Sequence, residues 1–339
     1  MGRFLNVGII QQSISEDTVD NLRYIEEKVD SMMNGVHAPE LVVGVEGGIG
    51  YFTPEMIPGP ITDFLCGIAK KHGIYFVPGT MYEAAPELED GMFYNSAPVI
   101  NPQGEIVAVY RKMAPWRPSE ANTAPGKDYV VFDIPEKNTK VGVQICYDMN
   151  FPEISRNQTL MGAEVLLKLT QDPEELYALN KPVHFARALE NQAYFVSTNT
   201  CGRFGNFSLY GNSLVVNPEG KLLWEAGTTE ATHTITLDLD VVKNAREYGT
   251  IFMDHYLKHL RQYDFPMPFS GNRSEAPVFK NLSPAPSNQK EYEEKMKEIG
   301  VGNIGRKSAK LEDLNPDAAQ NPLQERLEAY LGDKLEVTN

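Results

Sequence analysis

Val141-Gly142-Val143-Gln144-Ile145-Cys146-Tyr147-Asp148-Met149-Asn150-Phe151-Pro152-Glu153 is an apolar, strand-like run that ends on a cysteine, with a helix beginning within a few residues. A strand-to-helix turn projects such a side chain into a cleft. It also leaves unpaired backbone N–H groups near the sulfur, which favour a thiolate and can bind an oxyanion. An isolated cysteine here is more often an ordinary small core residue, since free Cys is among the most buried types. The neighbouring segments decide between these readings.

Outward from this stretch, apolar runs alternate with helical ones from Leu5 to about Tyr248. Strands are expected at 5–11, 41–45, 73–82, 140–145, 165–169 and 193–199, and helices at 16–33, 60–72, 151–161 and 173–191. Asn101-Pro102-Gln103-Gly104 and Asn217-Pro218-Glu219-Gly220 are turn signals flanked by β-branched residues and predict hairpins. Helices on one side of a mixed sheet leave its other face to be buried, and a second, similar sheet is the natural partner. The expected class is α/β.

A formal net charge of -15 argues against binding a phosphate backbone, which needs clustered Lys and Arg. The first residues lack a secretory pattern, and no run is apolar enough for a membrane-spanning helix. Cys66, Cys146 and Cys201 are an odd, scattered set, which predicts free thiols and a reducing, cytoplasmic setting. After Thr250 the composition shifts to Pro, Asn, Ser and charge. Residues 1–249 therefore read as the folded domain and 250–339 as an extended arm, with short helices expected at 289–299 and 323–331.

Two further apolar runs end on reactive side chains. Lys112 follows Ile106-Val107-Ala108-Val109-Tyr110-Arg111, and Glu46 follows Leu41-Val42-Val43-Gly44-Val45. Sites in α/β sheets collect at strand C-termini, so these positions could supply a base, a cation and a nucleophile together. Taken singly, Lys112 is also a surface charge and Glu46 a solvated strand end.

The set resembles the nitrilase superfamily of carbon–nitrogen hydrolases, and more narrowly its aliphatic amidase and formamidase branch. The resemblance rests on Val45-Glu46, on Tyr110-Arg111-Lys112 with Pro115-Trp116 and Glu120, and on Ile145-Cys146 continuing to Phe151-Pro152-Glu153-Ile154. Gly162-Ala163-Glu164, Tyr210-Gly211-Asn212-Ser213 and Lys243-Asn244-Ala245-Arg246 extend it, so that it spans roughly 5–248. It implies a four-layer α-β-β-α sandwich with an extended C-terminal arm, and a homo-oligomer, dimer-based or hexameric, tied by that arm. It further implies hydrolysis of a small aliphatic amide through a cysteine acyl-thioester, with water as second substrate and neither cofactor nor metal. Glu46, Lys112 and Cys146 would be the catalytic triad, with Glu120 orienting Lys112 or the substrate, and Trp116 and the Tyr147 backbone N–H contacting substrate. Trp116 is also readable as core packing, and Glu120 as a structural ion-pair partner.

Two departures concern substrate. Gly47 stands where the amidase branch commonly has tyrosine, and Leu167-Lys168-Leu169-Thr170-Gln171-Asp172-Pro173 lacks that branch's aromatic lid pattern. Lys168 reads as a solvated strand-end charge or, in a larger pocket, a reader of carboxylates. Asp148 is expected to hold the turn after the nucleophile by bonding nearby N–H groups. The alternatives are a nitrilase, an N-carbamoyl amidohydrolase and a catalytically silent binding or scaffold relative. The histidines show no zinc spacing, and His184 reads as a packing residue.

Overall fold

The structure is a computed structural model and describes residues 2–205, 207–249, 255–263, 265–266, 269–280, 282, 285–286 and 288–298. The chain opens with β1 (Phe4–Gln11), α1 (Thr18–Met33), β2 (Leu41–Val43), β3 (Gly50–Glu55), α2 (Pro60–His72), β4 (Tyr75–Val77), β5 (Met81–Glu83), β6 (Tyr94–Ile100) and β7 (Ile106–Arg111). Next come β8 (Val131–Ile134), β9 (Thr139–Ile145), α3 (Pro152–Leu160), β10 (Val165–Thr170), α4 (Tyr177–Asn191) and β11 (Tyr194–Asn199). The hairpin β12 (Cys201–Phe204) and β13 (Phe207–Tyr210) precedes β14 (Leu214–Val216), β15 (Leu222–Glu225), β16 (Ala231–Asp238) and α5 (Leu239–Tyr248).

Local chemistry sets several of these limits. The Asp17 carboxylate accepts the Val19 N–H, so α1 starts at Thr18 and not at residue 16. Pro60 opens α2 and Gly73, in the left-handed region, closes it. Both expected hairpins form, β6 with β7 and β14 with β15.

The strands make two sheets. The first runs β16-β1-β2-β4-β6-β5-β3, with β7 also paired to β6, and the second runs β15-β14-β11-β10-β9-β8. Side chains alternate between two environments, as a pleated strand requires. On β1, Leu5, Val7 and Ile9 enter a core shared by both sheets, whereas Ile10 packs with α1 and α2. On β10, Val165, Leu167 and Leu169 enter the same shared core, whereas Leu166 joins Ala188 of α4. Each fully buried aliphatic side chain stabilises the fold by roughly 1.5–3 kcal/mol. The result is the expected α-β-β-α layering.

The single strand expected at 73–82 is instead broken between β4 and β5. Gly79 adopts φ +132, and a Cβ there would lie 2.6 Å from the Val45 carbonyl. The break lets Thr80 N–H reach Val45 O (3.2 Å) and the Thr80 hydroxyl accept Gly47 N–H (2.8 Å), which frames the turn carrying Glu46. Beyond the sheets lie α6 (Tyr256–Gln262), α7 (Pro277–Lys280) and α8 (Gln289–Glu298). The helix expected at 323–331 lies outside the described residues.

Candidate active site

Strands β1, β2 and β4 run parallel, as do β9, β10 and β11, and each sheet delivers its reactive groups from strand C-termini. The first sheet supplies Glu46, three residues past β2, and Lys112, directly past β7; the second supplies Cys146, directly past β9. Bringing them together needs a close approach of the two sheets. At Gly44 the two sheets meet, its carbonyl accepting the Thr198 hydroxyl of β11 at 2.5 Å, and within its own sheet a Cβ there would stand 2.0 Å from Pro78 O.

Lys112 is 1% and Glu46 3% exposed, so their charges must be balanced internally. The Lys112 ammonium lies 2.9 Å from Glu46 Oε1 and 2.9 Å from Glu120 Oε1. Glu46 Oε1 also accepts Asn95 Nδ2 (2.9 Å), and Oε2 accepts the Gln171 N–H (2.8 Å) from the loop after β10. Desolvation lifts the Glu46 carboxyl above its ordinary range against the pull of Lys112. Burial alone would lower Lys112, but Cys146 when it is a thiolate, with Glu120 and Glu46, more than offsets it and holds the ammonium charged.

Cys146 opens a short 3₁₀ turn and sits at φ +49, a left-handed conformation that only a well-braced turn sustains. Asp148 is the brace. Its Oδ2 accepts Ile145 N–H (2.9 Å) and the Tyr110 hydroxyl (2.7 Å), and its Oδ1 accepts Ala114 N–H (2.8 Å). Because Tyr110 and Ala114 flank Lys112, one carboxylate ties the cysteine turn to the lysine segment. The Cys146 thiol is pushed well above its usual range by desolvation and by Glu46 and Asp172, against Lys112 and Lys168. At rest the sulfur therefore keeps its proton.

Glu120 bonds Lys112 and also accepts the Trp116 backbone N–H. Trp116 is half-buried. The Tyr147 ring packs edge-on against Phe151, with centroids 5.3 Å apart. Tyr82 stacks between Tyr51 (4.6 Å) and Phe93 (3.9 Å), and both tyrosines feel the charges of Glu46 and Glu120, which makes an aromatic wall beside the carboxylates. Gly47 has a local reason: at φ +70, a Cβ on it would lie 2.3 Å from the Tyr51 ring. Tyr51 fills that space from four residues later.

Lys168 corrects the expectation of a solvated or substrate-reading charge. It is fully buried, and its ammonium is 2.7 Å from Asp172 Oδ2. On β10 it points away from the shared core, as its alternation with Leu167 and Leu169 dictates, into the layer beneath α4. His184 of α4 packs there, donating Nδ1–H to Asn180 O (2.8 Å) and accepting the Ser197 hydroxyl at Nε2 (3.1 Å). Burial lowers its imidazole to about 3, so it is neutral. Asn95, Gln171 and Asp172 escape sequence reasoning. Their signal, a polar side chain or N–H inside or just past an apolar strand, is too common to stand out.

No helix among the described residues is long and apolar enough to cross a membrane, and none of their His, Cys, Asp and Glu clusters could hold a metal ion. Cys66, Cys146 and Cys201 are free thiols.

A family model described as "Carbon-nitrogen hydrolase" matches residues 6–247. The chain is 31% identical over 268 residues to omega-amidase NIT2-B of Xenopus laevis, covering 73% of this chain and 93% of that protein. It is 32% identical to omega-amidase NIT2 of Homo sapiens, with the same coverage of 73% and 93%. Among solved structures, Nit3 of Saccharomyces cerevisiae, a member of branch 10 of the nitrilase superfamily, is 26% identical with a TM-score of 0.67, covering 74% of this chain and 96% of that one. An amidase from Nesterenkonia sp. shares the fold at a TM-score of 0.62 and 23% identity, covering 77% and 97%. These relatives support the superfamily without singling out the aliphatic amidase and formamidase branch.

Proposed function

The chain belongs to the carbon–nitrogen hydrolase family and is an amidase-type enzyme; from that premise we propose that it cleaves small, uncharged aliphatic amides to a carboxylic acid and ammonia through an acyl-thioester on Cys146. What carries this reading is the Lys112 ammonium clasped between Glu46 and Glu120 beside the Cys146 sulfur. Glu46 takes the thiol proton as sulfur attacks the amide carbon, and Lys112 with the Tyr147 backbone N–H receives the developing oxyanion. Glu46 then returns that proton to the nitrogen as the C–N bond breaks, and ammonia leaves. Water, deprotonated by Glu46, opens the thioester, and the acid departs as the thiol regains a proton. One oxyanion donor is worth about 3 kcal/mol of transition-state stabilisation. Glu120 holds Lys112 in place, and Trp116 lines the substrate side.

Substrate charge is the finer point. Lys112 and Lys168, the cations that act on the sulfur, are both engaged by carboxylates, and the adjacent wall is aromatic. A neutral acyl group suits this better than one carrying a carboxylate. Ammonia release from a panel of amides, nitriles and carbamoyl compounds tests the proposal, with mass spectrometry of substrate-quenched protein. An acyl adduct on Cys146 with amide turnover is expected; exclusive nitrile or carbamoyl turnover refutes the substrate class, and no adduct refutes the mechanism. For residues 250–339 we propose an assembly arm, in keeping with exposed Tyr263, Phe265, Val278 and Phe279.

A further inference from the structure

The loop after β10 touches both partners in the first proton transfer. Gln171 gives its N–H to Glu46, and the next residue, Asp172, lies with Oδ1 3.5 Å from Cys146 Sγ. Asp172 is 2% exposed and held firmly. Its Oδ2 accepts Lys168 Nζ (2.7 Å), Asn180 Nδ2 (3.0 Å) and the Tyr210 hydroxyl (3.0 Å), while its own N–H goes to Asn199 Oδ1 (2.9 Å). One carboxylate oxygen is thus saturated by donors from β10, α4 and β13, and the other is turned toward the nucleophile. An orientation fixed at this many points leaves Oδ1 as a defined acceptor for the sulfhydryl hydrogen.

We propose that Asp172 is a third carboxylate of the catalytic site, beside Glu46 and Glu120, which accepts the Cys146 S–H at rest and sets the rotation of the sulfur, with Lys168 acting through it as a positioning residue. The proposal rests on Cys146 being the nucleophile. Asp172 does not take the proton. Its charge is locked by Lys168, Asn180 and Tyr210, which leaves Glu46 as the acceptor during attack. The charge has a second effect: an anion beside the sulfur disfavours a free thiolate in the empty site. That penalty vanishes once the sulfur is acylated and neutral. A thiolate formed against such a penalty is also the stronger nucleophile, since intrinsic reactivity rises with thiol basicity.

Other charges facing Cys146 are Glu46 from the turn after β2, Lys112 just past β7 and Lys168 from β10, with Tyr210 of β13 beside them; Glu120 pairs with Lys112, and neutral His184 of α4 lies by Lys168 and Asp172. Asp172→Asn keeps the shape of the side chain and removes the anion; of these charges Lys168 alone loses its carboxylate partner. The test is the rate of Cys146 alkylation by iodoacetamide against pH, followed by peptide mass spectrometry, together with kcat and KM. In D172N the alkylation midpoint should fall by a unit or more, which gives about tenfold more thiolate per unit at pH 7 and, with the less basic thiolate the weaker nucleophile, about threefold faster alkylation. Its kcat should fall at least about tenfold, with KM changed far less, as expected when only a transition-state arrangement is lost. Mere loosening of the loop would raise the plateau rate and leave the midpoint in place, and a folded D172N with an unmoved or raised midpoint overturns the proposal. If D172N fails to fold, the infrared S–H stretch of the unaltered protein, isolated by difference against Cys146→Ser, decides the matter. A band displaced to lower frequency than a free thiol supports the bond to Asp172, and a band at the free-thiol position refutes it. Absence of any acyl adduct on Cys146 would instead strike the functional reading itself.

Discussion

Replacing Glu46 by glutamine separates the charge of the proposed base from its shape. The carboxylate accepts from Lys112 Nζ and Asn95 Nδ2 at 2.9 Å on one oxygen, and from the Gln171 N–H at 2.8 Å on the other. Glutamine keeps a single acceptor oxygen. Pointing it at Lys112 and Asn95 sets its NH₂ against the Gln171 N–H, while the opposite flip sets the NH₂ against an ammonium. The first is the lesser clash, and it leaves one buried N–H without an acceptor, at a cost of about 1–3 kcal/mol. Loss of a positioned base costs about 10²–10⁴-fold in rate. The expected E46Q protein is therefore folded, modestly less stable in urea titration, and at least about a hundredfold slower in ammonia release, with little acyl adduct. An E46Q protein with native circular dichroism that kept more than about a tenth of kcat would refute the assignment of the proton transfer to Glu46.

Two other outcomes follow from particular contacts. Gly47→Ala should lose about 2–5 kcal/mol in denaturant unfolding, because it adds a left-handed penalty of about 1–2 kcal/mol to a collision with the Tyr51 ring worth about 1–3 kcal/mol; an unchanged midpoint would show that the ring moves freely. His184 has a folded value of about 3 against 6.5 when unfolded, so its contribution to stability is fully present above pH 6.5 and is lost as pH falls from there toward 3. His184→Asn should flatten the fall in unfolding free energy across that window, by an amount on the order of a few kcal/mol, and parallel pH profiles for the two proteins would contradict a buried neutral imidazole.

Much of the architecture is visible in one dimension because it depends on local chemistry. Period-two alternation marks Leu5, Val7 and Ile9 as one face of a strand, and Asn-Pro-x-Gly turns mark the hairpins before β7 and β15. The break between β4 and β5 falls at Pro78-Gly79, a turn signal that an unbroken strand over 73–82 overlooks. It arises from a backbone approach of the Val45 carbonyl that only the folded chain creates. The site divides in the same way. That Glu46, Lys112 and Cys146 each follow an apolar run is plain from their neighbours, and Asp148 is recognisable as a turn-holding residue by type.

The sequence by itself determined the layer pattern, the hairpins and the resemblance to carbon–nitrogen hydrolases, since each depends on residues close together along the chain. Only the tertiary structure decided that Lys168 is an internal partner of Asp172, that Tyr51 occupies the space over Gly47, and that one loop after β10 reaches both Glu46 and Cys146. Those contacts join segments up to 125 residues apart. They exist because two stacked sheets bring strand C-termini to one end of the sandwich, and a buried charge there must find its partner among whatever that stacking places within reach.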